Sequence, residues 1–211
     1  MSDATNSLLR MFAMCQKLNI VAQCSYQRGT MMGQLRKSLT LSTNLGPIYV
    51  EAEVTGPALG EEDISLRSIS IAPRHPPGMR IAACTAVLLQ VRPDKEVKTL
   101  RLSIELATEA IANICTGQYL DAQEWSDGKN LVIMGTEDDE ALNIRYPGLG
   151  FDKELVVDFT PQGMNLKIDK FPVPKGASFH FIIAENPDPE PNGSYAWFAV
   201  DQSHEDLLGL K

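Results

Sequence analysis

The chain has few of the residues from which metal sites and catalytic clusters are usually built. Its 211 residues include four cysteines and three histidines. No two cysteines form a C-x-x-C pair, so their spacing predicts no zinc or other metal site. The sequence also lacks a Ser-His-Asp signature and a glycine-rich phosphate loop. No motif therefore identifies a reaction, and function has to be argued from weaker patterns.

Long apolar runs are absent as well. No run approaches the roughly 18 residues of a membrane-spanning helix, and we recognise no secretory signal. We therefore expect a soluble cytoplasmic protein without a membrane partner. Thiols stay reduced in that compartment, so we expect all four cysteines, Cys15, Cys24, Cys84 and Cys115, to be unpaired.

Positive charge is scarce, most of all in the last third of the chain. The 19 Lys and Arg face 27 Asp and Glu, which gives a formal net charge of −8 at pH 7. Residues 131–211 hold six Lys and Arg against fourteen Asp and Glu. A nucleic-acid surface needs a concentrated basic patch, and an acidic chain repels phosphate backbones. We therefore expect no nucleic-acid partner.

The clearest pattern in the first half is a β-hairpin. Residues 35–43 and 48–54 alternate between apolar and polar side chains, and Asn-Leu-Gly-Pro at 44–47 can join them as a turn. Glu51 and Glu53 fall on one face of the second strand. Two carboxylates on one face can carry out acid/base chemistry. A solvated sheet face is the simpler alternative.

A strand, a Pro/Gly turn and an apolar stretch follow. The apolar phase of residues 64–71 changes part way along, which indicates a β-bulge, although a strand buried on both faces needs none. Prolines then end this strand, and the apolar residues 79–91 predict a helix packed against a sheet. Free amides at the start of that helix can hold an anion. An exposed loop is the alternative.

Residues 98–106 can be interpreted in two ways. Their alternation predicts a strand, followed by a helix at 107–116. Apolar residues spaced by three and four also allow a single helix over residues 94–115. We favour the strand, because the polar residues among them fall on one side.

With that strand, the order of elements over 64–117 is bulged strand, Pro-rich turn with Gly, helix, strand, helix. This order resembles the acyl-CoA-binding core of the GNAT family of N-acyltransferases. The segment 77–82 (Pro-Gly-Met-Arg-Ile-Ala) keeps one Gly and the Ala of that family's turn motif, but Pro77 and Arg80 stand at its other key positions. The resemblance covers about 55 of the 211 residues.

The resemblance implies acyl-CoA as cofactor, held by the bulged strand and the amides of the turn. It also implies a group that deprotonates an amine. The residues concerned are Arg74, Gly78 and Arg80 for cofactor binding and Glu51, Glu53 and His75 for catalysis.

The second half of the chain is rich in β patterns. Residues 119–125 and 130–134 flank Ser-Asp-Gly at 126–128, a favourable hairpin turn. A turn-rich connector at 146–151 suggests a boundary between an α+β core at 1–145 and a β-rich part at 146–211 that packs on the same core.

The last predicted hairpin spans residues 179–200, with a Pro-rich tip and apolar side chains on both faces of its two strands. An exposed hairpin of this kind would leave a large apolar patch. We therefore expect it to form a self-association surface in a homo-oligomer; burial beneath the helix at 79–91 is the alternative. We interpret His180 as a sheet residue that no second histidine or acid joins, and His204 as part of a polar tail.

Together these patterns predict an α+β fold: a mixed or antiparallel sheet with two or three packed helices and a C-terminal β-meander. One of the helices is expected at residues 8–18. The expected function is that of a non-catalytic binding or interaction protein with no cofactor and no metal. The alternative is an acyl-CoA-dependent N-acyltransferase-like enzyme.

Overall fold

The computed structural model describes residues 23–24, 32–72, 78–117, 119–147, 156–169, 172–189 and 195–208. Most of them lie in antiparallel strands. The strands are β1 (Gln23–Cys24), β2 (Met32–Thr43), β3 (Gly46–Pro57), β4 (Ile64–Ser70), β5 (Ala83–Val91), β6 (Thr99–Leu106), β7 (Ala112–Gly117), β8 (Leu120–Ser126), β9 (Asn130–Glu137), β10 (Val157–Thr160), β11 (Gly163–Ile168) and β12 (Ser178–Pro187).

The strands form two six-stranded sheets. Sheet A has the order β1-β2-β3-β6-β11-β10, and sheet B has the order β4-β5-β12-β9-β8-β7. One hydrophobic core joins their inner faces, with Val50 and Leu102 from sheet A and Leu89 and Phe181 from sheet B among its members. The chain is therefore a β-sandwich, and strands beyond residue 146 enter both of its sheets.

Two α-helices accompany the sheets in the described ranges. Helix α1 (Asp139–Arg145) is capped by Asp138, whose Oδ1 accepts a hydrogen bond from the Ala141 amide at 2.8 Å. Helix α2 (Tyr195–Leu208) lies on the outer face of sheet B, where Ala196, Ala199 and Val200 join a second apolar cluster. Neither helix has the length and apolarity that crossing a bilayer requires.

The predicted α+β fold is wrong, and residues 79–91 are the main reason. They contain no helix; Ala83–Val91 is strand β5. Val87 and Leu89 face the core between the sheets, while Cys84 and Ala86 face the cluster beneath α2. A strand covered on both faces has no polar side, so periodicity does not distinguish it from a buried helix.

Of the other predictions for the first half of the chain, some are confirmed and one is wrong. The hairpin at 35–54 is confirmed as β2 and β3, paired from Met32 with Pro57 to Thr43 with Gly46. The strand at 98–106 is confirmed as β6, but the helix at 107–116 is wrong, because Ala112–Gly117 is strand β7. The helix expected at 8–18 lies outside the described residues.

In the second half the hairpin around 126–128 is confirmed as β8 and β9. The return strand expected at 195–200 is wrong, since these residues begin α2. Phe179 is buried in the core between the sheets, and Ile182 is buried beneath α2. The two apolar faces that suggested a self-association surface are therefore covered within the chain.

Candidate functional site

The outer face of sheet A is polar and carries no helix among the described residues, unlike the outer face of sheet B. On β2, β3, β6 and β11 alternate side chains point into the core, so the residues between them point outward. The strand register aligns these outward residues in three rows. We call them the polar face: Arg36, Glu53, Arg101 and Lys167 in the first row, Ser38, Glu51, Ser103 and Asn165 in the second, and Thr40, Tyr49, Glu105 and Gly163 in the third.

The polar face is concave. A depression of about 520 Å³ lies over its first two rows and reaches Glu105. A smaller depression of about 250 Å³ adjoins it, between Tyr49, Glu51, Ser103 and Glu105. Tyr49 is 49% exposed, so its ring offers an apolar surface at one end of this region. Together the two depressions have the size of a small-ligand site.

Some charges of the polar face are paired within the sheet. Glu53 forms an ion pair with Arg36, whose Nη2 lies 2.9 Å from Glu53 Oε2. Glu53 Oε1 also accepts a hydrogen bond from Gln34 Nε2 at 2.7 Å. Lys167 Nζ lies 2.7 Å from Asp169 Oδ2. These contacts occupy the charged ends of the first row at both margins of the depression.

Three further charged side chains are unpaired. Within the described part of the chain, Arg101, Glu51 and Glu105 have neither an ion pair nor a side-chain hydrogen bond. The nearest contact is from Ser103 Oγ, which donates to the backbone oxygen of Glu51 at 3.4 Å. The donors of Arg101 and the acceptors of Glu51 and Glu105 are thus open to a ligand.

The structure brings only some of the residues expected at a site together. Glu51 and Glu53 share the polar face of sheet A. Gly78 and Arg80 are exposed in the connection between β4 and β5, on sheet B, where the Arg80 backbone oxygen accepts a hydrogen bond from Asn186 Nδ2 at 3.0 Å. The helix whose amides were expected to hold an anion is not formed, since β5 begins at Ala83.

The remaining two candidates, Arg74 and His75, lie outside the described residues. Those described include no group of three or more His, Cys, Asp or Glu placed to hold a metal ion. Of the cysteines, Cys84 and Cys115 are free thiols, as predicted, whereas Cys15 and the side chain of Cys24 lie outside the described part of the chain.

A buried polar chain, missed by sequence reasoning, crosses the outer side of sheet B from α1 to α2. Arg145 of α1 forms an ion pair with Glu137 of β9. Glu137 Oε2 lies 3.5 Å from His180 Nδ1, and His180 Nε2 lies 2.9 Å from His204 Nδ1. His204 Nε2 ends the chain 2.7 Å from the backbone oxygen of Tyr119. The interpretation that no histidine or acid joins His180 is therefore wrong.

Helix α2 brings His204 into this buried polar chain. Ala196, Val200 and His204 are four residues apart and share the buried side of the helix. This spacing of four residues indicates a helix in the sequence. It was overlooked because a strand was predicted at residues 195–200.

The buried polar chain is enclosed rather than open to a ligand. Glu137, His180 and His204 are all buried, and Arg145 supplies the opposite charge that a buried carboxylate requires. Burial holds the pKa of His180 well below its usual value, and the neighbouring His204 and Arg145 lower it further. His180 is therefore neutral, and the arrangement fastens α1 and α2 to sheet B.

Comparisons with known proteins assign no family to the chain. A scan against protein-family models found no match, and searches of curated proteins and of solved structures found no significant one. The case for function therefore depends on the geometry of the polar face.

Proposed function

We propose that the protein is a non-catalytic binding protein whose ligand lies on the polar face of sheet A. The observation that carries the proposal is the set of unpaired charges around the depression. Arg101, Glu51 and Glu105 lack partners, while Arg36, Glu53 and Lys167 on the same face have them. Charged groups left open in a concavity gain most from a ligand that hydrogen-bonds them.

The charge balance of the face favours a neutral ligand. Its rows hold three basic side chains and three acidic ones, the latter being Glu51, Glu53 and Glu105. An anion would be attracted by Arg101 but repelled by these carboxylates. A cation would be attracted by the carboxylates but repelled by Arg101. A neutral molecule with many hydroxyl groups can donate to Glu51 and Glu105 and accept from Arg101 and Asn165. Its C–H surface can pack on the ring of Tyr49. We therefore propose an oligosaccharide as the ligand.

Two features support binding without catalysis. Glu53, one of the two carboxylates considered for acid/base chemistry, is held by Arg36 and Gln34. The two described histidines are buried away from the polar face, His180 on β12 of sheet B and His204 on α2. Glu53 and the described histidines are therefore not free to transfer a proton to a ligand on the polar face.

A glycan array with the labelled protein, followed by calorimetric titration of any oligosaccharide that binds, tests the proposal. Arg101→Ala and Glu51→Ala each remove a charged hydrogen-bonding group worth about 1.5–3 kcal/mol, so we expect Kd to rise roughly tenfold or more. The matched control is Arg67→Ala, an exposed arginine on β4 of sheet B that should leave Kd unchanged. Binding that Arg101→Ala leaves intact, or no binding on the array, contradicts the proposal.

The acyl-CoA alternative has its own measurement. A ligand that binds only the folded state raises its stability by about 2.7 kcal/mol at a hundredfold excess over Kd. We expect no change in melting temperature with millimolar acetyl-CoA. An increase that Arg80→Ala abolishes would favour the enzyme instead.

A further inference from the structure

The outer strands of the two sheets differ in how well their free edges are protected. An exposed edge strand offers unpaired amides and carbonyls to other chains unless it is short or charged. In sheet A, β1 is described over two residues, and β10 has four residues, including Asp158. In sheet B, β4 carries Arg67. The six residues of β7 (Ala-Asn-Ile-Cys-Thr-Gly) include no charge and no proline.

Strand β7 also leaves apolar side chains in water. Ala112 packs against the core, so Ile114, two residues further on, points to the same inner side of sheet B. Ile114 is nevertheless 61% exposed, and Ile111, just before the strand, is 85% exposed. Within the described ranges β8 is the one strand that pairs with β7. A free edge and exposed isoleucines thus coincide.

We propose that β7 pairs antiparallel with β7 of a second copy of this chain, so that two B sheets join into one. A twofold axis at Ile114 places this residue opposite its own copy, Asn113 opposite Cys115, and Ala112 opposite Thr116. The pair of isoleucines then covers the exposed apolar surface. This pairing uses the free edge of β7 in both copies, so association closes at a dimer.

The charge distribution fits a second copy of this acidic chain. Strand β7 brings no like charges together. The neighbouring strand β8 carries two acids, Asp121 opposite Thr116 and Glu124 opposite Asn113, and Glu124 accepts a hydrogen bond from Asn113 Nδ2 at 3.5 Å. In the dimer the acids on the two β8 strands are separated by three strand spacings, about 14 Å. That separation exceeds the Debye length of about 8 Å at physiological ionic strength, so their repulsion is screened.

Light scattering coupled to size-exclusion chromatography, over a range of micromolar concentrations, tests this pairing. We expect a dimer for the wild type and a folded monomer for Ile114→Lys, with circular dichroism as the check on folding. Ile69→Lys is the matched control, since Ile69 is 37% exposed on β4, the opposite edge of the same sheet, and it should remain dimeric. A monomeric wild type, or a dimer that survives Ile114→Lys, overturns the proposal.

A second measurement tests the register. Directly opposite residues have Cβ atoms about 4.5–5.5 Å apart, close enough for a disulfide after a small shift. In a Cys115→Ser background, Ile114→Cys should therefore give a disulfide-linked dimer on mild oxidation, whereas Ile69→Cys should not. Equal cross-linking of the two variants, or none, contradicts the pairing at Ile114. Neither experiment involves the polar face, which lies on the other sheet.

Discussion

At the scale of single residues, neutral His180 makes stability depend on pH. Its pKa in the folded protein is well below that in the unfolded chain, about 6.5, so the unfolded chain binds more protons below that pH. The contribution of His180 to the free energy of unfolding should be fully present above pH 6.5. It should decrease progressively as the pH is lowered from there. Urea unfolding at pH 7.5, 6.5 and 5.5 measures this. His180→Gln should be less stable at pH 7.5 but lose less between 7.5 and 5.5 than the wild type; an equal loss contradicts the role of His180.

Asp121 has the opposite dependence. Burial, followed by the neighbouring carboxylates of Asp138 and Asp139, raises its pKa to about 6. Because this pKa is raised, the contribution of Asp121 to stability is fully present below its pKa in the unfolded chain, 3.8. That contribution is lost as the pH rises through about 6. We expect Asp121→Asn to raise the free energy of unfolding at pH 7.5 by about 1 kcal/mol, a figure reduced for solvent screening of a half-buried group. The gain should vanish near pH 4. Urea unfolding of the wild type and of Asp121→Asn at the two pH values measures this difference. Equal free energies of unfolding at pH 7.5 would contradict the expectation.

At the scale of elements, the close approach of α2 to β9 depends on Gly135. A Cβ at this position would lie 2.7 Å from Val200 Cγ1 and 2.9 Å from Leu120 Cδ1. Gly135→Ala should therefore displace α2 and lower the free energy of unfolding by about 1–3 kcal/mol. The control is Gly33→Ala on β2, where the new Cβ meets its nearest atom at 3.4 Å.

The same contact predicts how two substitutions combine. Val200→Ala removes the side chain that the new methyl group would meet, so the double variant should lose less stability than the two single variants together. Chemical unfolding of all four proteins measures the difference. Additive losses would mean that the helix does not approach the sheet at Gly135.

At the scale of the whole molecule, alternation predicted several strands of which one face meets water, although the exposed strand β7 was mistaken for part of a helix. Strands β2, β3, β6 and β8 alternate between apolar and polar residues, whereas β9 is buried on both faces and was predicted from the Ser-Asp-Gly turn before it. Strand β5 is covered on both faces, and the first residues of α2 are apolar on adjacent positions. Such segments have no polar side from which a period can be determined.

The candidate site was predictable only within one strand. Alternation placed Glu51 and Glu53 on one face before any pairing was known. The polar face also needs β6, and Glu51 pairs with Ser103, which is 52 residues away. Register between such distant strands depends on tertiary packing, so local patterns did not contain it. The pairing of His180 with His204 was hidden for the same reason, since it requires α2 to fold back on sheet B.

The central claim is that the ligand occupies the polar face, and amide chemical-shift mapping tests it most directly. ¹⁵N spectra of the wild type would be recorded with and without a saturating concentration of an oligosaccharide that binds on the array. We predict that the perturbed amides cluster around Arg36, Glu51, Arg101 and Asn165 on the four neighbouring strands of sheet A. Perturbations centred on sheet B, or on the connection between β4 and β5, would contradict the account.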